Sequence, residues 1–191
     1  DLLQDAAGVF DYMPAFKDPT PDVTAFMLDR LRGLLRDRGF APNEVEAVLA
    51  QNPDRVDDVV QRLDAVQAFA ALPESASLAA ANKRITNILK KNEEALAQAG
   101  AVEAALRQDE AEKKLYASVR RVQPEVDAAF GRGDFAGTLK TLAQLRDDVD
   151  AFFNDVMVMA DDVALRNNRL ALLSILHRMM NRVADIGKLA Q

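Results

Sequence analysis

The stretch Ser75-Ala-Ser-Leu-Ala-Ala-Ala-Asn-Lys-Arg-Ile-Thr-Asn-Ile-Leu-Lys-Lys91 decides the fold class. At 100° per residue, Leu78, Ala81, Ile85, Ile88 and Leu89 share one face. Lys83, Asn87 and Lys90 fall opposite, with Arg84 and Lys91 beside them. This is the period of an amphipathic helix, not the alternation of a strand. Residues 75–92 also contain no acid, so the polar face is purely cationic.

Working outward, the whole chain has the same character. Its 191 residues include 33 Ala and 23 Leu, against five Thr and four Ile, and Val (17) is the one abundant β-branched residue. Ala and Leu lead the helix scale, whereas β-branched residues favour strands. No sustained period-2 alternation and no Asn-Gly or Asp-Gly hairpin turn interrupts the pattern. The chain is predicted to be all-α.

Local signals place the helices. Thr20 as N-cap, Pro21 and Asp22 open a helix through Phe26, Leu31, Leu34 and Leu35 that stops at Gly39. A short helix spans about Pro42 to Gln51. Asn52 as cap and Pro53 as first residue then open one striped by Val56, Val59, Val60, Leu63, Val66 and Phe69. A break at Leu72-Pro73-Glu74-Ser75 precedes the basic helix. After a turn near Gly100, a helix covers about Asp109 to Phe130, where Pro124 should kink or split it. Gly131-Arg132-Gly133-Asp134 is a turn ending in an N-cap, two helices flank Arg146-Asp147, and Asp161-Asp162 open a last helix ending at Gly187.

Charge divides the chain. Residues 1–72 hold 7 Lys+Arg and 13 Asp+Glu, while residues 73–191 hold 17 of each. The sequence pI near 4.9 argues against a general nucleic-acid binder. A local positive face is still effective, because salt screens acids farther than about 8–10 Å away. Phosphate contacts come from Lys, Arg and Asn alike, so Lys83, Arg84, Asn87, Lys90 and Lys91 form a candidate RNA face. A merely solvated helix face accounts for the same residues, with Lys90 and Lys91 favourable at a helix C-terminus.

A second acid-free stretch, 163–184, carries Arg166, Arg169, Arg178 and Arg182. Arg178 and Arg182, with Asn167 nearby, project away from an apolar arc of Leu165, Leu172, Leu176, Met179, Met180 and Val183, and are candidates for exposed RNA contacts. Arg166 and Arg169 lie close to that arc. A buried guanidinium needs a partner, and Asp155, Asp161 and Asp162 are the acids nearby in sequence. For these two, structural pairing and RNA contact both remain open.

Several chemistries find no support. There is no cysteine and one histidine, His177, so disulfides, thiolate metal sites and multi-histidine sites are excluded. His177 reads as packed among Leu173, Leu176 and Met180, and Met157, Met159, Phe152 and Phe153 read as core. The phosphate-cradling patterns GxxxxGK and GxGxxG are absent. Carboxylates are spread along amphipathic helices without an acid–base pair. No apolar run nears the ~18 residues of a membrane span, and no basic stretch followed by an apolar one stands at the start of the given sequence. A cytoplasmic, non-membrane protein is expected, and the absence of Met at position 1 suggests a piece of a longer or processed chain.

Two runs carry a family resemblance. One is Ala80 to Lys91. The other is Val149-Asp-Ala-Phe-Phe-Asn-Asp-Val-Met-Val-Met-Ala160, followed by Val163-Ala-Leu-Arg-Asn-Asn-Arg-Leu-Ala-Leu-Leu173. Together they resemble the C-terminal region of bacterial glycyl-tRNA synthetase beta subunits, an anticodon-binding domain named for an Asp-Ala-Leu-Arg motif and shared with arginyl-tRNA synthetases. Here Asp162 is followed by Val163 before Ala164-Leu165-Arg166. The resemblance covers residues 75–191 well and extends to Val183-Ala-Asp-Ile186; residues 1–74 are similar to the helical region preceding that domain.

The resemblance implies a helical unit over 1–72 and a DALR-type anticodon-binding bundle over 73–191. It implies the tRNA-binding part of a glycine–tRNA ligase, holding the anticodon stem-loop of glycine tRNA. The separate alpha subunit would hold glycine, ATP and magnesium and carry out aminoacylation, so no cofactor and no catalytic residue would reside here. The partners would be that subunit and the rest of the beta subunit. A helical protein–protein interaction module without RNA binding is the alternative from another class. Arginine tRNA is the rival ligand, and the long match to the glycine enzymes argues against it.

Overall fold

The computed structural model describes residues 2–9, 17–53 and 55–190. Among them there is no strand, and the helices run α1 (Leu2–Gly8), α2 (Thr20–Asp37), α3 (Pro42–Leu49), α4 (Asp58–Ala70), α5 (Ser75–Lys91), α6 (Glu93–Gln98), α7 (Glu110–Gly131), α8 (Phe135–Ala143), α9 (Arg146–Asp155) and α10 (Val163–Met180). A 3₁₀ turn, Ile186–Leu189, follows α10. The all-α reading holds. No described helix is long and apolar enough to cross a membrane.

The apolar stripes meet in one core. Leu115, Val119, Val122 and Val126 of α7 pack with Leu139 and Leu142 of α8 and with Val149 and Phe152 of α9. Leu170, Leu172, Leu173 and Leu176 bring α10 into the same cluster, and Leu78, Ile85 and Leu89 bring α5. Burying an aliphatic side chain contributes about 1.5–3 kcal/mol, so the α5 stripe alone fixes which face of that helix looks outward.

Several elements differ from what the sequence predicts. α4 begins at Asp58, not at Pro53; Asn52 instead takes φ +44, a left-handed turn that Asn tolerates better than most residues. α7 runs unbroken through Pro124. The short helix α6 lies in a stretch that the sequence reading leaves without a helix. α10 stops at Met180 rather than near Gly187, because the Asn181 amide turns back to the His177 carbonyl (2.8 Å) and outward to α5. On α2, Leu35 is buried and Leu31 partly so, whereas Phe26 and Leu34 face solvent.

Long-range polar contacts lock the C-terminal turn. Arg62 of α4 donates to the carbonyls of Arg182 (2.9 Å) and Val183 (3.0 Å), and Asp185 N–H donates to Ala47 O of α3 at 2.8 Å. The 3₁₀ turn then lies so close to α5 that a Cβ on Gly187 would meet Lys83 N at 3.2 Å and Asn82 Nδ2 at 3.3 Å. Glycine is what allows this approach. α5 is thereby gripped from one side and leaves its cationic face open.

Candidate nucleic-acid interface

The outward face of α5 follows the helical spacing: Lys83, Arg84, Asn87, Lys90 and Lys91 are all exposed. Among the described residues, none of these cations is in a salt bridge. The Arg84 guanidinium lies over the Phe153 ring, 4.3 Å from its centroid, which holds it in place without cancelling its charge. Three of the cations converge on a groove of about 430 Å³ between α5 and the loop after α9, lined by Lys83, Arg84, Asn87, Lys91, Asn92 and Met159. Across α5 a second groove, of about 360 Å³, also takes in Lys83 and Asn87, but it includes Glu46 and Asp185. Those carboxylates make it the poorer of the two for phosphate.

The arginines of α10 divide by role. Arg166 donates to Ala160 O at 3.0 Å. Arg169, 5% exposed, donates to Met157 O and to Asp109 Oδ2, both at 2.8 Å, and lies 3.6 Å from the buried carboxylate of Glu112. Its acidic partners are therefore at the start of α7, not Asp155, Asp161 or Asp162. Asp162 is instead the N-cap of α10, accepting from Ala164 N (2.8 Å) and Leu165 N (3.1 Å). Packing of α10 against α7 brings a distant acid pair closer than the sequence neighbours. Burial raises the Glu112 carboxyl above its ordinary range, with the Arg169 charge opposing.

The remaining candidates lie elsewhere. Asn167 is half-buried, and its buried Oδ1 has no partner among the described residues. Arg178 is exposed and donates to Ser174 Oγ at 3.0 Å. Arg182 is not freely exposed as its helical position suggested: it pairs with Asp127 and stacks over Phe130 at 4.3 Å. Arg178 and Arg182 line a separate depression with Arg62, His177 and Asn181. Thr86 Oγ–H donates to Asn82 O at 2.9 Å, so the same oxygen must accept from His177 Nε2–H, 3.0 Å away. His177 is a packed side chain in its neutral form, and burial holds its pKa below the ordinary value.

Two features escaped the sequence reading. Met157 and Met159 are not core: they are 72% and 44% exposed, while Val156 and Val158 are buried. The chain leaves α9 in extended geometry at Val156 and then turns at residues 158–159, burying the two valines and leaving the two methionines outside. The Val-Met-Val-Met alternation was the available signal. Asn82 and Asn181, the second feature, form a buried amide pair that no local pattern marks.

This geometry is a helical scaffold that presents a cationic helix face beside a loop tied down by two arginines. The DALR anticodon binding domain family matches residues 78–186, more than half of the chain, from within α5 to the start of the 3₁₀ turn. The chain belongs to this family. It is similar over its whole length, at 56% identity, to a glycine–tRNA ligase beta subunit of Ralstonia nicotianae, of which it spans 27%. It is 50% identical over 99% of its length to the protein of that name from Methylobacillus flagellatus, spanning 26% of it. A third, from Thiobacillus denitrificans, is 56% identical over 88% of the chain and 24% of the relative. The chain thus spans about a quarter of the length of these relatives.

Proposed function

We propose that this chain is the tRNA-binding part of a glycine–tRNA ligase beta subunit and that it holds the anticodon region of glycine tRNA. The observation that carries the reading is the α5 face, where Lys83, Lys90 and Lys91 are exposed with no acid paired to them among the described residues. In a protein of net charge −6, such a surface is a local attractor for a polyanion. Cations position the RNA backbone, whereas amides and stacking groups read unpaired bases. Full-length identity to proteins named as glycine–tRNA ligase beta subunits favours glycine tRNA over arginine tRNA and over a module without RNA binding.

In this reading the chemistry takes place elsewhere. The alpha subunit uses ATP and magnesium to activate glycine in the cytoplasm, and this chain, with the rest of the beta subunit, holds the far end of the tRNA. Residues 1–72, with their excess of acids, stay off the RNA, and contact is made by residues 73–191. Lys83, Arg84, Asn87, Lys90 and Lys91 form the main surface. Asn167, Arg178 and Arg182 are secondary contacts, while Arg166 and Arg169 act chiefly by holding the loop after α9.

The test is a titration with glycine tRNA and with a transcript whose anticodon alone is exchanged. Tighter binding of the glycine tRNA supports the reading. Equal affinity for both would remove anticodon recognition, and no binding at low salt would leave a protein-interaction module. The chain alone should not charge tRNA with glycine and ATP in a preparation free of host synthetase.

A further inference from the structure

Met159 is an unusual residue to find on the wall of a cationic groove. It is 44% exposed beside Lys83, Arg84 and Lys91, and the lining also includes the amides of Asn87 and Asn92 and the apolar side chains of Ala80 and Ile88. No carboxylate lines this groove. The groove, of about 430 Å³, is open to solvent rather than enclosed, as a contact surface for an extended polymer would be.

The loop carrying Met159 is also held on both sides. Arg169 fixes the carbonyl of Met157 and Arg166 that of Ala160, while Val156 and Val158 are buried beneath. A surface apolar side chain on a backbone so restrained is pre-organised, and the ordering cost of contacting it is low. The two arginines therefore act at a distance, as positioning residues for the groove wall.

Resting on the RNA reading above, we infer that this groove takes one unpaired nucleotide of the bound RNA, with its base against the Met159 side chain and its flanking phosphates on Lys83, Arg84 and Lys91. The combination fits a nucleotide: an apolar surface for the face of a base, an amide, Asn87, for its edge, and cations for the backbone on either side. An acidic protein segment would satisfy the cations but leaves no role for the amides beside the methionine.

The test uses the full-length protein that carries this chain. Affinity is measured for glycine tRNA and for the same tRNA made abasic at the three anticodon positions. Met159→Ala should weaken binding of the intact tRNA by about five- to tenfold and leave the abasic tRNA unaffected. Met159→Leu, which keeps an apolar surface of similar size, should restore most of the difference. Lys83→Ala and Lys91→Ala should weaken both RNAs alike. If the Lys variants weaken binding while Met159→Ala does not, or weakens both RNAs equally, the base contact is wrong and the RNA reading of α5 stands. If neither the Lys nor the Met variants change tRNA binding, both fail together.

Discussion

Asn82 and Asn181 exchange amide hydrogen bonds in the interior: Asn82 Nδ2 donates to Asn181 Oδ1 at 2.8 Å, and Asn181 Nδ2 donates back to Asn82 Oδ1 at 3.1 Å. The pair ties the inner side of α5 to the end of α10. It fastens the inner side of α5, away from the cationic face.

Removing one partner leaves the other amide's Oδ1 buried without its donor, which costs about 1–3 kcal/mol, although Asn181 Nδ2 keeps the His177 carbonyl and Asn82 Nδ2 keeps Asp185 Oδ1. Asn82→Ala and Asn181→Ala should each lower stability by that order in urea unfolding. The double variant should cost less than the sum of the two, because the orphaned group is then gone. Additive losses would show that the two amides do not act as a pair.

Arg169 and Glu112 form a second buried pair. Arg169→Met leaves the Glu112 carboxylate without its nearby charge, at a cost on the order of 3–5 kcal/mol. Adding Glu112→Gln should recover a large part of that loss in chemical denaturation. If the double variant is as unstable as Arg169→Met, then Asp109 and the Met157 carbonyl, not Glu112, are the partners that matter.

His177 predicts a pH dependence of stability. Burial lowers its folded-state pKa, with Asp185 opposing and Arg178 adding to the shift. The unfolded chain then binds a proton more readily than the folded one, so stability rises with pH across this window. The contribution of neutral His177 is complete above the ordinary value of about 6.5 and is lost as pH falls below it. Thermal midpoints should be lower at about pH 5.5 than at about pH 7.5, and His177→Gln should flatten that slope. Parallel slopes in the two proteins would assign the loss to other groups.

On the α5 face, each cation that holds a phosphate should account for about one unit in the slope of log affinity against log salt. Lys83→Ala and Lys90→Ala should each reduce the slope by that amount for every tRNA tested, whereas Asn87→Ala should narrow the difference between anticodons. Arg166→Ala should behave unlike these, lowering thermal stability through the loop after α9 before any change in salt slope. A reversed pattern, in which Arg166→Ala abolishes RNA binding and the lysine variants leave it unchanged, would exchange the roles of α5 and α10.

The cationic side of α5 was legible in the sequence because a helix face depends only on local spacing. Lys83, Asn87 and Lys90 recur every three or four residues, so they must share a side once the Leu78, Ile85 and Leu89 stripe is buried. Arg182 satisfied the same spacing rule and still came out half-buried, since Asp127 and Phe130 on α7 occupy it. A spacing rule assigns a direction along a helix axis but is blind to what another element places there.

Local pattern was enough to make the protein all-α, α5 amphipathic, and its polar side cationic without acids. These follow from helix propensity and the 3.6-residue period, which are properties of neighbours in the chain. Helix packing settled that Asp109 and Glu112 partner Arg169, that α10 stops at Met180, and that Met159 joins the cationic groove. Each depends on groups far apart in sequence, such as Asn82 and Asn181, 99 residues apart. Their meeting is set by how helices pack, since a buried polar group takes the partner that packing brings within reach.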